Sequence, residues 1–186
     1  MNEKPSGRNV ILGVTGSVAA YKAASVLRGL LAKGHVVQVV MTAAAQQLVT
    51  ATTFRALSGR PVVTEMFIPE GGADLQHIRL ADWVDVLAIV PATANFLGKA
   101  AGGIADEILS CTWMACECPK IIAPAMNDRM WRAAPVRRNV EYLRSLPGVM
   151  FVGPTEGKLA SGKTAIGHLA PVEGIIAAID SLAGTI

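Results

Sequence analysis

His77, in the run Gln76-His77-Ile78-Arg79-Leu80, is a side chain suited to proton transfer, because an imidazole titrates near neutral pH. It follows an irregular glycine-containing segment, residues 67–76, and precedes an apolar run that reads as a strand. A single histidine is more often structural or merely solvated. His35, in a helix-to-strand turn, and His168, in a late loop, receive that reading. Asn127, in Pro124-Ala125-Met126-Asn127-Asp128, carries an amide that can hold a carboxylate and can equally cap the next helix. The run Pro91-Ala92-Thr93-Ala94-Asn95 offers small residues that let a flat ring approach the backbone, and an amide that can pair with polar ring edges. There too, Thr93 or Asn95 can simply start a helix. Gly13-Val14-Thr15-Gly16-Ser17 sets small residues and unpaired N–H groups at a helix start, which suits a phosphate; a plain turn capped by Ser17 is the alternative. Its spacing is neither the dinucleotide fingerprint nor a P-loop. No acidic residue ends the second predicted strand, where a dinucleotide reader grips ribose. Thr42 stands there with a hydroxyl, which favours a mononucleotide.

These residues need a scaffold that brings strand ends together. Apolar runs rich in β-branched residues occur at 9–14, 36–41, 86–90, 120–123 and 149–152. Helical patterns fall between them, at 18–32, 42 to about 57, 95–101, 106–115 and 135–146, with a last one at 172–182. Short apolar strands alternating with helices predict a parallel sheet covered on both faces, with right-handed crossovers. The expected fold is therefore an α/β, Rossmann-like (flavodoxin-like) three-layer sandwich, forming one domain over residues 1–186. Segments 67–76 and 155–167 read as loops, and long loops in such domains are often functional. Lys158 and Lys163, in the second of these, suit a substrate phosphate or carboxylate and equally suit solvent.

With 52% hydrophobic and 17% charged residues in 186, the composition is globular. A net charge of +3 is too small to imply nucleic acid, and Arg129, Arg132, Arg137, Arg138 and Arg144 read as a solvated helix face without interleaved aromatics. The three cysteines, Cys111, Cys116 and Cys118, have no second cluster to complete a zinc site; no metal is expected, and they read as reduced thiols of a cytoplasmic protein. Residues 1–8 lack the apolar core of a signal peptide, and residues 83–98, broken by Asp85 and Pro91, make a poor membrane span.

Taken in order, GVTGSVAAYK (13–22), QHIRLADWVD (76–85), PATANFLGKAAGGIADEILS (91–110) and APAMNDRMW (123–131) resemble the homo-oligomeric flavin-containing cysteine decarboxylases. The resemblance runs from residue 10 to about 179. It implies FMN bound at a subunit interface of a trimer, or of a dodecamer built from trimers. It places the phosphate near Gly16, Ser17 and Thr42. The ring falls near Pro91, Ala92, Thr93 and Asn95 and the segment from Ala105 to Ser110. It makes His77 the base and Asn127 the holder of the cysteine carboxylate, with Met126, Ala160 and Ser161 beside the substrate. In that chemistry the flavin oxidises the thiol-bearing carbon toward a thioaldehyde, whose C=S group takes the electrons released with CO2 and leaves an ene-thiol.

Two branches of the family differ afterwards. In the phosphopantothenoylcysteine branch of coenzyme A synthesis the ene-thiol is reduced again, assisted by a cysteine in a glycine-flanked loop. Here that loop reads Gly157-Lys158-Leu159-Ala160-Ser161-Gly162, and a serine hydroxyl is a far weaker acid than a thiol. The other branch oxidatively decarboxylates the C-terminal cysteine of a ribosomally made peptide to an aminoenethiol, the precursor of aminovinyl-cysteine, and needs no reduction. Ser161 therefore directs the expectation to a peptidyl-cysteine substrate, with phosphopantothenoylcysteine as the alternative. A non-catalytic flavin-binding regulatory subunit is a further reading, disfavoured by the presence of His77 and Asn127. A dinucleotide-dependent reductase is disfavoured by the missing acid.

Overall fold

The computed structural model describes residues 7–67, 75–158, 160 and 162–182. Five strands, β1 (Asn9–Val14), β2 (Val36–Met41), β3 (Val86–Ala92), β4 (Lys120–Pro124) and β5 (Val149–Phe151), form one parallel sheet in the order β2-β1-β3-β4-β5. Side chains alternate across each strand, so the apolar runs feed two cores. Val10, Leu12 and Val14 of β1 point to one face with Val37, Val39, Val86, Ala88 and Ile121. Ile11 points to the other with Val40, Leu87, Ile89 and Ile122.

Helices α1 (Lys22–Ala32), α3 (Ala51–Ser58) and α9 (Val172–Ser181) cover the first face through Val26, Leu27, Leu30, Phe54, Ile175 and Ile179. Helices α4 (Gln76–Trp83), α5 (Ala94–Gly102), α6 (Ile108–Ala115) and α8 (Ala134–Ser145) cover the second. Each fully buried Leu, Ile or Phe contributes about 1.5–3 kcal/mol from removal of apolar surface. The expected flavodoxin-like three-layer sandwich is therefore observed, and the strand runs sit within two residues of their expected bounds.

Three expectations are corrected. The helix expected from residue 42 to about 57 is two: α2 (Ala43–Gln46) and α3, because Thr50 takes an extended backbone and restarts the chain. Residues 155–167 are not an irregular loop. They contain an antiparallel hairpin of β6 (Thr155–Lys158) and β7 (Thr164–His168), apart from the main sheet. His77, expected between the 67–76 loop and a strand, lies in the first turn of an unexpected helix, α4, whose Leu80 is buried in the second core. A further short helix, α7 (Asp128–Arg132), follows β4.

His35 has the structural role expected of it. Its Nδ1 accepts the Arg8 N–H at 3.1 Å, so Nε2 carries the hydrogen it gives to Asp180 Oδ1 at 2.7 Å, tying α9 to the start of β2. Burial raises the Asp180 carboxyl, but hydrogen bonds from Lys33 and His35 outweigh it and hold the group below its ordinary value. A depressed carboxyl stabilises the fold above the unfolded pKa and stops doing so as pH falls through the folded one. Asp180→Asn should therefore lower the Tm at neutral pH, with the gap to the parent closing below about pH 4. Thermal unfolding from pH 7 to 3 measures this; a gap constant across that range contradicts it.

A candidate ligand crevice at the carboxyl edge of the sheet

From β1 the chain crosses to β2 on one side, then returns past β1 to β3 on the other. The turns leaving β1 and β3 therefore diverge, and ligands of open α/β sheets lie in the crevice this opens. Thr15 pins its floor: its hydroxyl donates to the Pro91 carbonyl at 2.6 Å and accepts the Thr93 N–H at 3.0 Å. This buried threonine was missed in the sequence reading. A threonine ending an apolar strand ahead of the capping serine was the available signal.

Two cavities open here. One, of about 550 Å³, is bounded by Ser17, Lys22, Met126, Asn127, Ala160 and His168 among others. The second, of about 490 Å³, is bounded by Thr15, Thr42, Ala43, Ala44, Asn95 and Glu107 among others. Gly16, Thr93, Ala94 and Met130 line both, so the two form one crevice. A Cβ on Gly16 would stand 2.5 Å from that of Ala44, so only glycine lets the β1 turn approach the start of α2.

The capping alternatives are all realised for the hydroxyl and amide groups of the turns. Ser17 accepts the Ala19 N–H, Thr42 that of Ala45, Thr93 that of Phe96, and Asn127 Oδ1 that of Arg129 at 2.9 Å. Capping uses only acceptor capacity. The three hydroxyl hydrogens and the Asn127 NH2 remain donors, the polarity an anionic ligand requires. Glu107 is the only acidic residue on the described walls. Lys99 lies 3.2 Å from it and 2.8 Å from Asp106. Burial lowers Lys99, but its hydrogen bonds to Asp106 and Glu107 prevail and hold it above the usual lysine range.

Other expected site residues lie elsewhere. Pro91 and Ala92 form the floor through their carbonyls, Ala92 receiving the Ala125 N–H. Ala105 is exposed and lines neither cavity. Ser110 is buried with its hydroxyl committed to the α6 cap, where it accepts the N–H groups of Asp106 and Glu107 and donates to the Glu107 carbonyl. Within one chain, His77 is not brought to Asn127, because α4 packs beside α6 on the second face and His77 lines neither cavity. Ser161 lies outside the described residues. His168, read as a bland loop residue, instead ends β7 on the wall of the first cavity, with Nε2 3.2 Å from Lys22 Nζ.

None of the three cysteines lines the crevice. The Cys116 thiol is raised by its hydrogen bond to Cys118 and by burial; the same hydrogen bond outweighs burial at Cys118 and holds that thiol below its ordinary value. Among the described residues no helix is long and apolar enough to cross a membrane.

The Flavoprotein family profile matches residues 1–184. The coenzyme A biosynthesis bifunctional protein CoaBC of Bacillus subtilis (strain 168) is 42% identical over 171 residues, 92% of this chain and 42% of that protein. CoaBC of Escherichia coli (strain K12) is 37% identical over 88% of this chain and 40% of its own length. The chain thus spans about two fifths of the curated relatives it matches. Among solved structures, the FMN-dependent cysteine decarboxylase SpaF superposes with a TM-score of 0.82 at 37% identity, covering 97% of this chain and all of that one. A cysteine-to-serine mutant of PPC decarboxylase complexed with pantothenoylaminoethenethiol superposes with a TM-score of 0.85 at 29% identity, over 96% of this chain and all of that one. With its crevice at the β1/β3 switch point and these relatives, the chain belongs to the Flavoprotein family, in the group of enzymes that holds the flavin-dependent cysteine decarboxylases.

Proposed function

We propose that this protein uses FMN to remove the cysteinyl carboxylate of phosphopantothenoylcysteine. The observation that carries the reading is the double crevice at the switch point, one half walled by small residues and hydroxyls, the other holding Asn127. The first half fits a mononucleotide. Gly16, which both halves share, and Thr42 would hold its phosphate, with Ser17 beside Gly16 on the wall of the other half, and Thr93 and Asn95 would hold its ring, above the floor of Pro91 and Ala92. A bound flavin supplies the electron acceptor that decarboxylation of a β-thiol acid otherwise lacks.

The chain's own residues do the rest. Asn127 presents NH2 donors to the carboxylate while its oxygen, tied to Arg129 N–H, fixes the amide's orientation. A neutral donor suits a group that must lose its charge. His77 takes the thiol proton. Because His77 lies off both cavities of its own chain, it serves the crevice of a second copy, and the enzyme is a homo-oligomer, a trimer or an assembly of trimers, with residues 1–186 as one flavin-binding domain in the cytoplasm.

The peptide substrate favoured by Ser161 gives way to phosphopantothenoylcysteine, because the 42% identical relative is a coenzyme A biosynthesis protein. The peptide reading keeps specific support in the 37% identity to SpaF. The pairing of a cysteine-to-serine exchange with an ene-thiol in the PPC decarboxylase mutant supports a product left unreduced in this protein too, so each turnover would need dioxygen to take the two electrons back from the flavin. Release of CO2 from phosphopantothenoylcysteine and from a cysteine-terminated peptide, compared as kcat/KM, tests the assignment. The small substrate should be the better one; CO2 from the peptide alone would transfer the assignment to the peptide-modifying branch.

A further inference from the structure

We infer that Lys22, with His168 and Lys158, forms an anion pocket that binds the phosphate of the substrate and selects the phosphorylated form. The inference rests on the substrate reading above and deepens it. The ionisable side chains on the described walls of the 550 Å³ cavity are Tyr21, Lys22, Lys158 and His168; none is a carboxylate. The other half of the crevice carries Glu107 and no lysine, arginine or histidine. Positive charge is thus confined to the half that holds Asn127.

Lys22 stands apart from the other partly buried lysines. Lys99 meets carboxylates, and Lys120 donates to the carbonyls of Cys116 and Cys118. The half-buried Lys22 meets a base, the Nε2 of half-buried His168, at 3.2 Å. An ammonium donates and the ring nitrogen accepts, so the pair is hydrogen-bonded with no carboxylate among the described residues to balance it. Partial burial of a charge without a counter-charge is unfavourable, and an anion entering the cavity supplies the missing partner.

The position of the pair follows from the backbone. Met126 N–H donates to the Gly167 carbonyl at 3.0 Å, so His168 follows directly on the residue that backs onto the Asn127 turn. The amide and the basic pair therefore share one cavity, and two anionic groups of one substrate can be sorted between them. A lysine on the departing carboxylate would stabilise the charged ground state against a transition state that is losing that charge. The phosphate keeps its charge throughout, so it is the group that gains from Lys22 without slowing the reaction.

The test uses two ligands that lack the reactive thiol, 4′-phosphopantothenate and pantothenate, titrated calorimetrically into the flavin-loaded protein. The parent should bind the phosphorylated compound at least about tenfold more tightly. Lys22→Gln should bring the ratio close to one, with pantothenate affinity and FMN content unchanged, and Lys22→Arg should keep most of the preference. A parent without preference, a preference that survives Lys22→Gln, or loss of FMN from Lys22→Gln overturns the pocket. If the preference is absent while phosphopantothenoylcysteine still yields CO2, the pocket alone fails. If neither substrate class yields CO2, the reading beneath it fails too.

Discussion

Replacing His77 by asparagine should leave the purified protein yellow and stop its turnover. A positioned base contributes about 10²- to 10⁴-fold to a rate, and CO2 release should fall by that order while flavin content holds. Flavin should stay because His77 lines neither half of the crevice in its own chain. The fold should stay because the side chain is only half-buried at the start of α4, where Leu80 provides the anchoring apolar contact. If His77 reaches the crevice of a second copy, His77→Asn and Asn127→Ala subunits, each inactive alone, should regain activity when mixed and reassembled, because mixed oligomers contain sites with both groups intact. Turnover at the parent rate in His77→Asn removes it from the mechanism. Inactive mixtures place both residues in one chain's site.

The second large effect is expected at Gly167. Its φ is +134°, a conformation open to glycine, and a Cβ there would stand 2.3 Å from the Met126 carbonyl oxygen. Gly167→Ala must therefore separate β7 from the turn that carries Asn127. Strain of this kind costs about 1–3 kcal/mol, or several degrees of Tm for a chain of this size. The Asn127 amide and the basic wall should lose their relative placement at the same time, so KM should rise along with the fall in stability. Gly34→Ala is the control: its φ is +84°, nothing lies within 4 Å of the added carbon, and it precedes the start of β2, off both cavities. It should lower Tm and leave KM alone. Equal effects of both variants on KM would detach Gly167 from the site.

The sheet was legible because its strands are buried on both faces and so appear as continuous β-branched runs such as Val36–Met41. The capping turns were legible because a serine, threonine or asparagine follows the ends of β1, β2, β3 and β4, although sequence left open whether each caps a helix or holds a ligand. The hairpin of β6 and β7 was not legible: TEGK and TAIGH are short, polar and glycine-containing, without the alternation that marks a half-buried strand. His168 was passed over for the same reason, since its role appears only once β7 is laid beside Met126. Ser110 looked available as a small polar residue beside a ring, yet the local geometry spends its hydroxyl on the α6 cap. The separation of His77 from Asn127 depends on the placement of α4 beside α6, a tertiary contact that sequence spacing does not encode.

FMN bound in this crevice would supply the electron acceptor for oxidation of the cysteine ahead of carboxylate loss. Rapid mixing of the flavin-loaded protein with phosphopantothenoylcysteine under anaerobic conditions, following the oxidised flavin band and CO2 together, tests it directly. The band should fall in the first turnover, no later than CO2 appears. CO2 released at full rate while the band stays unchanged, or from protein stripped of flavin, would contradict it.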